Sequence, residues 1–86
     1  MHTRTFQVLL QAKDPDLALN ASIAAARLIS LLPPGWGGRI DDLARGTVLI
    51  IESAVPVPVD TAVAATASAM SDVSLRDWEV SGCTPF

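Results

Sequence analysis

Few residues in this chain have the type and spacing that chemistry requires, and each of them stands without partners. His2 is the one histidine and Cys83 the one cysteine among 86 residues. A nucleophilic triad or a metal centre needs three or four converging groups, and neither residue has them close in sequence. Cys83 has no neighbouring His, Lys or second Cys to favour its thiolate, so it reads as an inert thiol near the chain end. Asp41-Asp42 is the longest run of acids, but adjacent residues on a strand point to opposite faces and cannot converge on a metal or a proton-transfer site. Gly35-Trp36-Gly37-Gly38 follows a helical pattern and lacks the Lys-Ser/Thr pair that grips phosphate and magnesium. No catalytic residue, metal site or cofactor is expected, and the Gly-Trp segment reads as a flexible turn with Trp36 either folded back onto the core or open to a ligand or protein partner.

Composition removes further classes. Nine acids and six bases give a net charge of −3 with no basic cluster, which argues against a nucleic-acid surface. The apolar stretches 23–26, 48–51 and 54–59 fall far short of the roughly 20 residues that span a bilayer, so no membrane role is expected. A single cysteine cannot close an internal disulfide, and the first residues lack the long apolar run of a secretory signal. A reducing cytoplasm is the expected location. Cys83 stands fourth from the last residue, as in prenylation signals, but Thr84-Pro85 is a poor aliphatic pair and no polybasic stretch precedes it.

The elements that must position any site follow from periodicity. Residues 4–12 alternate, with Phe6, Val8, Leu10 and Ala12 on one side and Thr5, Gln7, Leu9 and Gln11 on the other, which predicts a strand. Asp14-Pro15-Asp16 supplies a cap, a first-turn proline and a favourable acid, so a helix is expected from Pro15, with apolar positions 17, 21, 24, 28, 31 and 32, ending at Pro33-Pro34. A short strand over 39–43 and a hairpin turn at Ala44-Arg45-Gly46 come next. Thr47–Ser53 is apolar on both faces, as an interior strand should be, and Pro56 and Pro58 are expected to stop it. Asp60 caps a second helix through about Ser71, with Val63, Ala67 and Met70 as its buried stripe, and 73–81 closes the series as an edge strand.

One α+β domain over residues 1–86 is the expected organisation, because a chain this short has one core to spend its apolar surface on; about 1–3 and 82–86 read as short flexible termini. Two interleaved right-handed crossovers make it a ferredoxin-like βαββαβ split sandwich: a four-stranded antiparallel sheet with two helices on one face. The first and third strands are central, being the most apolar. Helices cover one face only, so Leu9, Leu49 and Ile51 are expected on the open face, where a contiguous aliphatic strip marks an interface. With Trp36 and Arg39 they form the expected partner-binding set.

The helix start at Asp14-Pro15-Asp16-Leu17 resembles the Asp-x-Pro-Gly-Leu segment of ACT domains, small-molecule regulatory modules with this element order. That resemblance implies an amino-acid ligand at a dimer interface near residues 13–17, with Asp16 standing where those domains place the ligand-contacting glycine. Asp14 and Asp16 are also similar in position to an acid carried by small ferredoxin-like nucleases, although helix capping already accounts for both. The expected function is a non-enzymatic binding or regulatory module acting through its open sheet face, as a homodimer or on a protein partner. The alternatives are a phage or mobile-element inhibitor of a host protein, an ACT-like sensor of a small-molecule ligand, and a cofactor-free enzyme on a dimeric α+β barrel. The lack of an interior His or Tyr weighs against the last.

Overall fold

The computed structural model describes residues 2–14, 16, 20–42 and 47–86. Strand β1 (Thr3–Ala12) shows the alternation of its sequence, with Phe6, Val8 and Leu10 buried and Leu9 and Gln11 exposed. After it, the Asp14 carboxylate accepts a 3.0 Å hydrogen bond from the Asp16 N–H. That is the bond a capping aspartate makes to the N–H two residues on. Helix α1 runs Ala21–Ser30, with no side-chain cap from Asn20. Pro15 and residues 17–19 lie outside the described residues. Ala24, Ala25 and Leu28 form the buried face of α1.

Strand β2 (Trp36–Asp42) starts three residues earlier than its sequence suggests. Gly35, at φ +90°, makes the turn that only glycine adopts without strain. Trp36, Gly37 and Gly38 then pair with Ser53, Glu52 and Ile51, so the glycine segment is sheet and not a loop. Gly38 is small for a packing reason: a Cβ there would lie 3.0 Å from the Ile50 carbonyl oxygen and 3.2 Å from Ile29 Cγ1 of α1. The expected turn at Ala44-Arg45-Gly46, and Leu43 before it, fall outside the described residues.

Strand β3 (Thr47–Val57) continues through Pro56. The proline is tolerated because it sits in an irregular stretch, between the Thr5–Glu52 and Thr3–Val57 pairs, where no ladder partner is needed. Helix α2 (Val59–Met70) is entered from Pro58, and Asp60 lies inside its first turn, where a negative charge is favourable. It buries Ala62, Ala65, Thr66 and Ala69. The expected stripe was one residue away, at Val63, Ala67 and Met70; the alanine side wins because small side chains let the helix approach the sheet closely. Thr66 is accommodated by donating its hydroxyl to the Ala62 and Val63 carbonyls, at 3.1 and 2.9 Å.

Residues Val73–Leu75 form a short 3-10 turn instead of a strand start, and it drives Leu75 into the core. Asp72 accepts from the Ser74 N–H at 2.9 Å and the Ser74 hydroxyl at 2.6 Å, and these bonds hold its carboxyl below the ordinary aspartate value. Strand β4 (Trp78–Pro85) reaches almost to the last residue, so the segment expected to trail from 82 is instead paired along β1. The sheet order is β2-β3-β1-β4, with every neighbouring pair antiparallel and β1 and β3 central. Residues of both helices share one core with Phe6, Val8, Leu10, Leu49 and Ile51, which places the helices on the same face of the sheet.

Candidate functional site

The pairing of β1 with β3 decides which side chains reach the uncovered face. Val8 lies opposite Leu49 and Phe6 opposite Ile51, and directly opposed residues in an antiparallel pair share a face. Leu49 and Ile51 therefore lie beneath the helices, with no exposed surface. This corrects their placement on the open face. Residues 48–51 are apolar at every position, so β3 has no alternation of its own, and a one-residue change of register exchanges the faces.

The open face instead carries Val48 and Ile50, opposite Leu9 and Gln7. Leu9 is 40% exposed, as its alternation required, and Val48 is half-buried. Ile50 is only 4% exposed although no helix covers it, because it sits in register between Gln7 and Arg39, whose long side chains flank it. Around this aliphatic centre stand Gln7, Gln11, Arg39, Asp41, Glu52 and Glu79. An apolar centre with a polar rim is the usual anatomy of a binding surface.

Arg39, opposite Ile50, is also on this face, and its guanidinium donates to Asp41 Oδ1 at 2.9 Å. Both partners are well exposed, so the pair contributes little to stability and costs little to exchange for another carboxylate. Arg4 and Glu52 make a second exposed pair at 3.5 Å. Between Arg39 and Glu52 the face sinks into a depression of about 400 Å³, with Ile50 at its floor, because Gly37 opposite Glu52 has no side chain. The depression has an aliphatic base and one charge of each sign at its mouth.

Trp36 does not belong to this face. It opens β2 on the helix side, half-buried, with its ring 6.1 Å from that of Phe6 and tilted 43° to it. The indole is thus a packing element and not the tip of a free loop. Cys83 on β4 is partly covered, and burial pushes its thiol above the ordinary value, which keeps it protonated and a poor nucleophile at neutral pH. Among the described residues, no three His, Cys, Asp or Glu side chains cluster as metal ligands, and no helix is long and apolar enough to cross a membrane. The ligand position that the ACT resemblance implies, near 13–17, falls largely outside the described residues.

The face thus unites Leu9 and Arg39 from the expected set, loses Leu49, Ile51 and Trp36 to the core side, and gains Val48, Ile50 and Gly37. Comparison with protein-family models, curated proteins and solved structures finds no match.

Proposed function

We propose that this chain is a non-enzymatic binding module of the ferredoxin-like split-sandwich type, whose open sheet face pairs reversibly with a second copy of itself. The observation that carries this reading is the uncovered aliphatic pair Leu9-Val48, with Ile50 beneath its polar neighbours, on the face that neither helix covers. A half-exposed leucine beside a valine gains by being covered, at about 25 cal/mol per Å² of apolar surface.

Geometry sets the strength. Four strands about 4.8 Å apart, sharing about eight residues at 3.3 Å each, present a face of about 500 Å². Two such faces bury about 1,000 Å² in total, the lower limit for a specific interface. The pairing is therefore weak, with a Kd on the order of 100 μM, and concentration-dependent. In a face-to-face pair with its two-fold axis along the strands, β1 of one copy crosses β3 of the other, setting Leu9 against Val48 on both sides of the axis. The polar ring of Gln7, Gln11, Arg39 and Glu52 then surrounds a dry centre.

Serial dilution monitored by backbone amide NMR tests this reading. Concentration-dependent shifts should appear at Gln7, Leu9, Val48 and Ile50 and be absent from α1 and α2. Shifts confined to the helices, or none up to millimolar protein, would remove it. A displaceable partner carrying an aliphatic side chain for the Gly37 depression would use the same face.

A further inference from the structure

At the other side of the molecule, the outer edge of the sheet is bare. β4 pairs with β1, and among the described residues no main-chain group pairs with its far side. The Lys13 N–H donates to the Asp77 carbonyl at 2.8 Å and the Phe86 N–H to the Thr5 carbonyl at 3.0 Å. By the alternation of an antiparallel ladder these bonds turn the main-chain groups of Glu79, Gly82 and Thr84 toward β1 and those of Val80 and Cys83 outward. Unpaired outward groups are a template for another strand.

A groove of about 380 Å³ runs beside that edge, between α2 and β4, lined by Val63, Ala67, Met70, Val80 and Cys83. Val63, Ala67 and Met70 are spaced as one face of a helix. They are the more apolar stripe of α2, yet Val63 is 46% exposed, while the alanine side of the helix holds the sheet. An apolar cavity of about 150 Å³ is enough to hold a benzene ring, so the groove has room for two aliphatic side chains.

We propose that the β4 edge and the α2–β4 groove form one binding site for an extended apolar peptide segment of another protein, added as a fifth strand with alternate side chains set between β4 and α2. The two halves of the site are independent observations that select the same occupant: free main-chain groups call for a strand, and the apolar lining calls for valine- or leucine-like side chains on every second residue. Charge narrows it further. The one charged side chain on α2 is Asp60, one turn before Val63 and acidic, so the segment is neutral or basic at its flanks. The register break at Ser81 and the missing N–H of Pro85 interrupt the edge, which limits pairing to a short segment and disfavours a long β4-to-β4 ladder between copies. This site is separate from the open face and does not rest on its role.

Selection from a displayed library of random twelve-residue peptides against the intact chain tests the inference, followed by fluorescence anisotropy on the enriched sequences. The expected outcome is enrichment of peptides with alternating aliphatic residues and lysine or arginine flanks. Their affinity should fall at least tenfold on N-methylating alternate peptide amides, and at least tenfold with the Val63→Lys variant, while Leu9→Asp leaves it unchanged. Val63→Ser, a smaller change at the same exposed position, should weaken binding to a lesser degree and guards against a folding defect. No enrichment, amphipathic helical sequences indifferent to N-methylation, or binding lost with Leu9→Asp and kept with Val63→Lys would each overturn it.

Discussion

Replacing Leu49 and Val48 by alanine, one at a time, separates the two faces of β3 by their energetic cost. Leu49 has no exposed surface and shares the core with Val8, Ile51 and Leu28, so Leu49→Ala removes buried methyl groups and leaves a cavity. Such changes cost about 2–5 kcal/mol. A domain of this length has about 4–13 kcal/mol to lose, so about two-fifths of its stability should go at the midpoints of the two ranges. Val48 is half-buried on the uncovered face and opposite Leu9; deleting two half-exposed carbons there costs about 1 kcal/mol. Urea unfolding followed by circular dichroism reads both. With a slope near 1 kcal/mol/M for a small domain, Leu49→Ala should lower the midpoint by about 2 M or more and Val48→Ala by about 1 M or less, at unchanged slope. Equal losses, or a larger loss at Val48, would mean that β3 is out by one residue and that the face assignment fails.

Trp36→Ala should lower stability by about 2–3 kcal/mol, less than for a fully enclosed tryptophan because the ring is half-buried against Phe6, and should leave self-association of the folded fraction intact. Gly38→Ala should cost about 1–3 kcal/mol because its Cβ meets the Ile50 carbonyl at 3.0 Å, whereas Gly37→Ala, with no atom within 4 Å, should be neutral or slightly stabilising; thermal melts of the two variants compare them directly. Cys83 should react with iodoacetamide several-fold more slowly than free cysteine at pH 8, since burial raises its thiol in the folded state. The same shift makes folding stability fall as pH rises past the ordinary thiol value, because the unfolded thiol ionises first; a Cys83→Ser variant should lack that decline.

Much of the element order was legible because it rests on signals that tertiary contacts do not reverse. The alternation of Phe6, Val8 and Leu10 marked the covered face of β1, and the apolar run at 48–51 marked an interior strand. What the residues alone could not carry was relative placement. Four consecutive apolar residues in β3 give no parity, so only the pairing with β1 decides that Leu49 and Ile51 lie inside. Helix α2 carries a similar ambiguity: Val63, Ala67 and Met70 have the spacing of a core stripe, but the neighbouring alanines pack closer and leave the larger side chains at the margin. Glycine content suggested a flexible segment at 35–38, whereas pairing with β3 and the approach of Ile29 turn it into an ordered edge strand. Val63 and Val80 meet at the groove only through the placement of α2 over β4, which no local pattern contains.

Sedimentation equilibrium of the wild-type chain and of Leu9→Asp, over about 10 μM to 1 mM, tests the central claim most directly. Leu9 is the exposed member of the aliphatic centre, so the substitution should fold with a nearly unchanged melting temperature. The wild type should move from monomer toward dimer across that range, with a Kd on the order of 100 μM. Leu9→Asp should remain monomeric throughout, since a face-to-face pair would bury its carboxylate without a partner. A wild type that stays monomeric at 1 mM, or a Leu9→Asp variant that associates equally well, would contradict the account.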